Sequence, residues 1–219
     1  MQAANVDKCI DQLEGNLINN KFMIGRMIDQ GSFGQVYKIV DIADHNRPLV
    51  MKVCQDYKQF GHEINTMKRI HSKQLKTDKC STPQVIEYGM IVLVNSCTSE
   101  ETLMAYTIMP RYGANLENFF EKEKSALSKA SILNIATSTI DMLEGVHSAG
   151  YTYNDLKLDN IMVGYQNKPL KRCEQDAFQK TSLHLVDFGF ATRFADKTTG
   201  KHLAQSDVDT FRGNMIFGS

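Results

Sequence analysis

The sequence predicts an α+β protein of two lobes, an antiparallel β lobe carrying one helix followed by a mainly helical lobe. Three observations carry that expectation. Short β-rich segments crowd the first half, the clearest helical periodicity falls in the second, and Pro110–Asn115, containing Pro, Gly and Asn, separates them as a hinge would. At 219 residues the chain is long enough for one large domain or two small lobes.

Phe22–Ile28 and Val36–Ile42 flank Gly31 and Gly34 and read as a hairpin with a glycine-containing loop. Leu49–Val53, after Pro48, is a compact apolar strand. Phe60, Ile64, Met67 and Ile70 recur at helical spacing and predict a helix over about Phe60–Ile70. Lys73–Thr82 is polar, ends before Pro83 and reads as a connection; strands are expected around Val85–Val94 and Ala105–Met109. Leu116–Glu121 reads as a short helix. Ser131–Ser148 reads as a long one, with Ile132, Ile135, Thr139, Met142, Leu143 and Val146 on one mainly apolar face and Gly150 placed to end it. Short strands are expected at Ile161–Val163 and Leu183–Val186, separated by the polar insertion Gly164–Ser182, which reads as a surface loop.

Composition narrows the classes of function. Lys and Arg number 25, Asp and Glu 25, so the chain is formally neutral and predicts no nucleic acid and no anionic membrane as partner. Five cysteines, Cys9, Cys54, Cys80, Cys97 and Cys173, form no CxxC pair; the pattern suits reduced thiols in a cytoplasmic or nuclear protein rather than a disulfide framework or a zinc site. Met1–Ile18 has no signal-peptide core, and the longest aliphatic run, Met90–Val94, falls far short of the roughly 20 residues that span a bilayer.

Four stretches carry candidate chemistry. In Asp29-Gln-Gly31-Ser32-Phe33-Gly34-Gln-Val36, small residues let backbone N–H groups approach nucleotide phosphates where a Cβ would obstruct, although an ordinary hairpin turn reads the same way. Lys52 ends an otherwise apolar strand, either reaching phosphate oxygens or standing solvated; Glu63, on the next helix, either pairs with it or lies on the surface. Tyr153-Asn-Asp155-Leu-Lys157-Leu-Asp-Asn160 supplies a carboxylate to take a hydroxyl proton, a cation for phosphoryl charge, and an amide oxygen for a hard cation. Asp187-Phe-Gly189 puts a second carboxylate at a strand end beside a glycine. Each is weak alone. Their order along the chain, each on its expected element, is what in-line phosphoryl transfer from Mg·ATP requires.

With these residues the chain resembles a protein kinase of the casein kinase I group, which includes vaccinia-related and tau-tubulin kinases. The resemblance covers about Phe22–Ser219. Subgroup likeness rests on Met109-Pro-Arg-Tyr-Gly113-Ala-Asn-Leu116-Glu-Asn-Phe119 and on Gly213-Asn-Met-Ile-Phe217-Gly-Ser219. It implies a bilobal protein-kinase-like fold: an N-terminal extension over 1–16, an N-lobe over 17–109, a hinge over 110–115 and a partial, mainly helical C-lobe over 116–219. It implies an enzyme that uses ATP and Mg²⁺ on Ser or Thr hydroxyls of protein substrates. The same resemblance makes Asp155 and Lys157 catalytic and Asn160 and Asp187 the metal ligands. Gly31, Ser32, Phe33, Gly34, Val36, Val50, Lys52, Glu63 and Met162 would contact ATP, with Met109 behind adenine and Pro110, Arg111 and Tyr112 as its backbone strip. A nucleotide-binding scaffold without turnover is the alternative; a small-molecule phosphotransferase and a tyrosine kinase fit the motifs less well.

Four departures from the pattern bear on regulation and substrate. Asp29 stands where the first loop glycine is usual. Tyr153-Asn154 replaces the common His-Arg: Tyr can fill the packing role, but loss of Arg removes a cationic partner for a phosphorylated activation loop, so activity independent of such phosphorylation is expected. Asn214 and Ile216 replace the threonine and basic residue of the group's segment, so a preference for acidic or primed substrates does not carry over. Family members continue in several helices past the position of Ser219, so the chain reads as cut through the larger lobe, with apolar surface exposed.

Overall fold

A computed structural model describes residues 6–10, 13–31, 34–75, 81–94, 98–122, 127–165, 181–196, 198–204 and 213. The chain divides into two compact units, 1–64 with 84–111, and 65–83 with 112–219.

The first unit is built on one seven-stranded sheet. Its strands are β1 (Val6–Ile10), β2 (Leu17–Ile18), β3 (Phe22–Gly31), β4 (Gly34–Asp41), β5 (Leu49–Cys54), β6 (Glu87–Val94) and β7 (Glu101–Pro110). Their order is β1-β6-β7-β5-β4-β3-β2, antiparallel throughout except for the parallel β1–β6 edge. Strand β1 has no counterpart in the sequence reading. Alternation along β5 explains the sheet's two faces: Leu49, Met51 and Val53 are buried, whereas Val50, Lys52 and Cys54 are only partly so. The buried set packs with Ile24, Ile39, Tyr106 and Ile108 into the core of this unit.

The division between units falls within helix α1 (Tyr57–Gln74), which is longer at both ends than periodicity predicts. Asp56 caps its start, Oδ1 accepting from the N–H groups of Lys58 and Gln59 at 3.0 Å. At its other end the buried Gln74 side chain accepts from Ser81 and Thr82 N–H at 3.3 and 3.1 Å, so the helix runs into the stretch read as a connection.

The second unit carries α2 (Leu116–Lys122), α3 (Lys129–Ser148), β8 (Tyr151–Thr152), a 3-10 turn (Leu158–Asn160), β9 (Ile161–Val163), β10 (Leu183–Leu185) and β11 (Thr192–Arg193). Ser128 caps α3 through Ser131 N–H at 3.1 Å, and Gly150, at φ 84, follows its last turn, donating to His147 O. The apolar face expected on α3 is realised except at its first residue. Met142 and Val146 are buried and Ile135, Thr139 and Leu143 partly so, but Ile132 is 54% exposed; Leu133 and Ile140, off that face, are 65% and 66% exposed. Antiparallel pairs β9–β10 and β8–β11 frame the loops that follow. The insertion Gly164–Ser182 and the segment Gly213–Ser219 lie almost wholly outside the described residues.

Candidate functional site

In the first unit the register of β4 against β5 sets Val36 opposite Lys52 and Lys38 opposite Val50; β5 in turn sets Val50 opposite Met109 and Lys52 opposite Thr107. Val36, Val50 and Lys52 therefore share one face of the sheet. From that face the Lys52 ammonium meets both carboxylate oxygens of Glu63 at 2.9 Å, with side chains 16% and 7% exposed. Glu63 sits on the α1 turn whose Phe60 and Ile64 are also buried. Met109 is buried near the end of β7, Pro110 ends that strand opposite Leu49, and Arg111 N–H donates to Pro48 O at 2.9 Å.

Gly31 and Gly34 face each other where β3 turns into β4; Ser32 and Phe33, between them, lie outside the described residues. Gly34 has a structural reason to lack a side chain: at φ 120, a Cβ would sit 2.0 Å from Val53 O. Asp29, in the place of a usual glycine, is paired with Val36 in extended backbone and accepts from Gln30 N–H at 2.8 Å, so this position makes no demand for glycine.

In the second unit, Asp155 is 3% exposed, in the loop between β8 and the 3-10 turn. Its Oδ2 accepts from Asn160 Nδ2 at 2.8 Å and lies 3.2 Å from Lys157 Nζ. The second hydrogen of the Asn160 amide goes to Asp155 O at 2.9 Å. That commitment leaves the Asn160 amide oxygen as the end available to a cation. Asp187, just past β10, takes the left-handed conformation at φ 59, and its Oδ1 accepts from Gly189 N–H at 3.4 Å. Met162 lies in β9, bridged to Asn115; Tyr112 stacks on His184 with centroids 4.2 Å apart. Burial lowers the His184 imidazole below its ordinary range, against a smaller opposing effect from Ser81.

The residues preceding Asp155 reach the Asp187 segment, a connection that sequence reasoning saw only in part. Tyr153 packs edge-on against Phe188, centroids 5.3 Å apart, and its hydroxyl donates to Val186 O. Asn154, known from sequence only as a missing Arg, donates to Phe190 O at 2.9 Å and Thr192 Oγ1 at 3.0 Å. The available signal was its residue type, since Asn tolerates the φ of 68 that aims its side chain.

Residues 22–214 match the protein kinase domain family, and the chain belongs to that family. It is 25% identical to a casein kinase I homolog of Kluyveromyces lactis, over 94% of this chain and 34% of that protein. It is 26% identical to a probable serine/threonine-protein kinase of fowlpox virus, over 94% of this chain and 66% of the relative. A nucleosomal histone kinase of Drosophila melanogaster is 26% identical, over 82% of this chain and 29% of its own length. The chain thus spans between about a third and two thirds of these curated relatives. Among the described residues no helix is long and apolar enough to cross a membrane.

Proposed function

We propose that this chain is the catalytic region of a protein serine/threonine kinase, transferring the γ-phosphoryl group of ATP to Ser and Thr hydroxyls of protein substrates. The observation that carries this reading is the Asp155 carboxylate. Oδ2 is held by Asn160 and Lys157, while Oδ1 takes no hydrogen bond from any described residue. Oδ1 accepts the proton of the substrate hydroxyl as its oxygen bonds to the γ-phosphorus and the bond to the departing ADP oxygen breaks. Lys157 offsets charge on the phosphoryl oxygens. Lys52, oriented by Glu63, contacts the α- and β-phosphates. Gly31, Ser32, Phe33 and Gly34 cover the phosphates, Val36, Val50 and Met162 flank adenine, and Met109 with the backbone of Pro110, Arg111 and Tyr112 line its edge.

The donors present suit Mg²⁺. Among the described residues no group of three or more His, Cys, Asp or Glu is arranged as a metal cage, and Mg²⁺ prefers one or two oxygen side chains with waters and phosphates completing its shell. Asn160 Oδ1 and the Asp187 carboxylate would hold it. When bound, the ion neutralises phosphate charge.

On this reading 1–16 is an extension, 17–109 the N-lobe, 110–115 the hinge and 116–219 part of the C-lobe. The cytoplasm or nucleus is its compartment, consistent with the dispersed cysteines. The test is transfer of labelled γ-phosphate to a panel of generic protein substrates, followed by phosphoamino-acid analysis. Phosphoserine or phosphothreonine is expected; nucleotide binding with no transfer, or phosphotyrosine alone, would overturn the proposal.

A further inference from the structure

A cavity of about 270 Å³ lies within the second unit, and none of the candidate site residues lines it. Its walls come from three parts of the chain: the last two turns of α1, the end of α3, and the β8–β11 pair with the turn that follows. Charge sets this cavity apart. Arg69 and Lys73 lie four residues apart on α1 and so share a helix face. Arg193 stands in β11 directly opposite Tyr151, so the two side chains leave the same face of that strand pair. None of the three cations forms an ion pair with a described residue. Asp196 is the only acidic side chain on the lining, and its Oδ1 already accepts from Thr199 N–H at 2.8 Å, Thr199 Oγ1 at 3.0 Å and Thr198 N–H at 3.0 Å. Hydrogen bonds from Thr199 and Thr198 hold its carboxyl below the ordinary carboxylate range, Arg193 adding least.

A solvated helix face accounts for Arg69 and Lys73 taken alone, and the negative end of α1 favours Lys73. Neither accounts for Arg193, half-buried on a strand between the buried Tyr151 opposite it and Phe194 next to it. Three unpaired cations around one concavity repel one another, and an anion among them reverses that cost. The walls are also held before any ligand arrives. Phe194 and Ala195 N–H both donate to Gly150 O, at 3.0 and 3.4 Å, and a Cβ on Gly150 would sit 3.2 Å from that of Ala195. Beyond them Asp196 N–H donates to Lys201 O at 2.8 Å and Gly200 N–H to Asp196 O at 3.0 Å, which closes the turn.

The lining divides into a cationic part and an apolar part made by Ala149, Tyr151, Phe194 and Ala195. A free phosphate ion uses only the first. Nucleic acid needs an extended basic track with stacking platforms, which a formally neutral chain does not suggest. A phosphorylated Ser or Thr side chain uses both parts: its dianion suits the guanidinium forks, and its carbon atoms and flanking backbone suit the apolar wall. We propose that this cavity docks a phosphorylated Ser or Thr side chain of a protein partner, with the half-buried Arg193 and the exposed Arg69 and Lys73 as its phosphate contacts. Docking here needs no turnover at Asp155, so this proposal stands or falls apart from the kinase reading.

The probe is a capped Ala-Ala-phosphoserine-Ala-Ala peptide, titrated into the full 219-residue chain and followed by amide NMR. The unphosphorylated peptide, its Glu counterpart, inorganic phosphate and a short oligouridylate are titrated in parallel. Saturable shifts are expected at the amides of Ser148–Tyr151 and Arg193–Asp196, with a Kd of about 1 mM or tighter. The phosphopeptide should bind at least about threefold tighter than inorganic phosphate, and added salt should weaken it. Arg193→Gln should weaken it about tenfold, and Arg69→Gln or Lys73→Gln about threefold. Arg69 and Lys73 are exposed, so their variants keep the fold and the test stands without Arg193→Gln. No shift at these amides, or unchanged affinity in Arg69→Gln and Lys73→Gln, would overturn the proposal. Equal affinity for the Glu peptide or for inorganic phosphate, or tighter binding of the oligouridylate at the same amides, would overturn it too.

Discussion

Asn160 gives both hydrogens of its side-chain amide to Asp155, one to the main-chain oxygen at 2.9 Å and one to Oδ2 at 2.8 Å. The two residues act as one unit: the amide fixes the carboxylate, and the carboxylate fixes which end of the amide faces a cation. Asn160→Ala leaves the buried Asp155 without two donors, so stability should fall by about 1–3 kcal/mol, read from the denaturation midpoint. Asn160→Asp sets a second carboxylate against the first and should stabilise less still near neutral pH, recovering as the medium is acidified. If both variants match wild type in stability, the coupling is absent.

Lys52 and Glu63 form the other coupled pair. Both are largely buried, so Lys52→Met alone strands a carboxylate and should cost about 3 kcal/mol. Lys52→Met with Glu63→Leu should regain most of that stability yet bind ATP no better than the single variant. Calorimetry and equilibrium unfolding on the four-member cycle read both quantities; additive stability losses would contradict the coupling.

Two glycines should respond oppositely to alanine. Gly34→Ala forces a Cβ within 2.0 Å of Val53 O at φ 120, and should destabilise the first unit by at least about 2 kcal/mol. Gly61, inside α1, has open space around its Cβ position, and Gly61→Ala should stabilise by about 0.5–1 kcal/mol. Unfolding midpoints moving in the same direction would refute the packing described.

His184 ties stability to pH. Its imidazole is held below the ordinary value of 6.5 by burial beside Tyr112, with Nε2 3.0 Å from Ser182 Oγ. The unfolded chain therefore binds the proton more readily. Its contribution is fully present above about 6.5 and is lost as pH falls toward the folded-state value. Tm should drop between pH 7 and 5.5, and His184→Phe should flatten that part of the profile. An unchanged slope would show that other groups govern it.

The two-residue strands β2, β8 and β11 are too short to carry a signal in the sequence. The α+β class, helices α1 to α3 and strands β3 to β7, β9 and β10 were legible, because Leu49–Val53 is a compact apolar run and Ser131–Ser148 repeats at helical spacing. The parallel edge strand Val6–Ile10 was not, since a five-residue segment with two charges gives no alternating signal. Lys52, Glu63, Asp155, Lys157, Asn160 and Asp187 were all singled out by residue type and order along the chain. What spacing could not give is direction. The amide of Asn160 turns onto Asp155 five residues earlier, and Asn154 turns onto Phe190 and Thr192 more than 30 residues later, and neither direction is carried by spacing. Gly34 illustrates the converse: read as room for phosphate, it also answers to the Val53 carbonyl.

The central claim, that Asp155 takes the substrate proton during phosphoryl transfer, is tested most directly by Asp155→Asn. Mg·ATP affinity and transfer of labelled phosphate to a protein substrate are measured side by side with wild type. The account predicts nucleotide binding within a few-fold of wild type and transfer reduced by about 10²–10⁴-fold. Transfer by Asp155→Asn at the wild-type rate would contradict it.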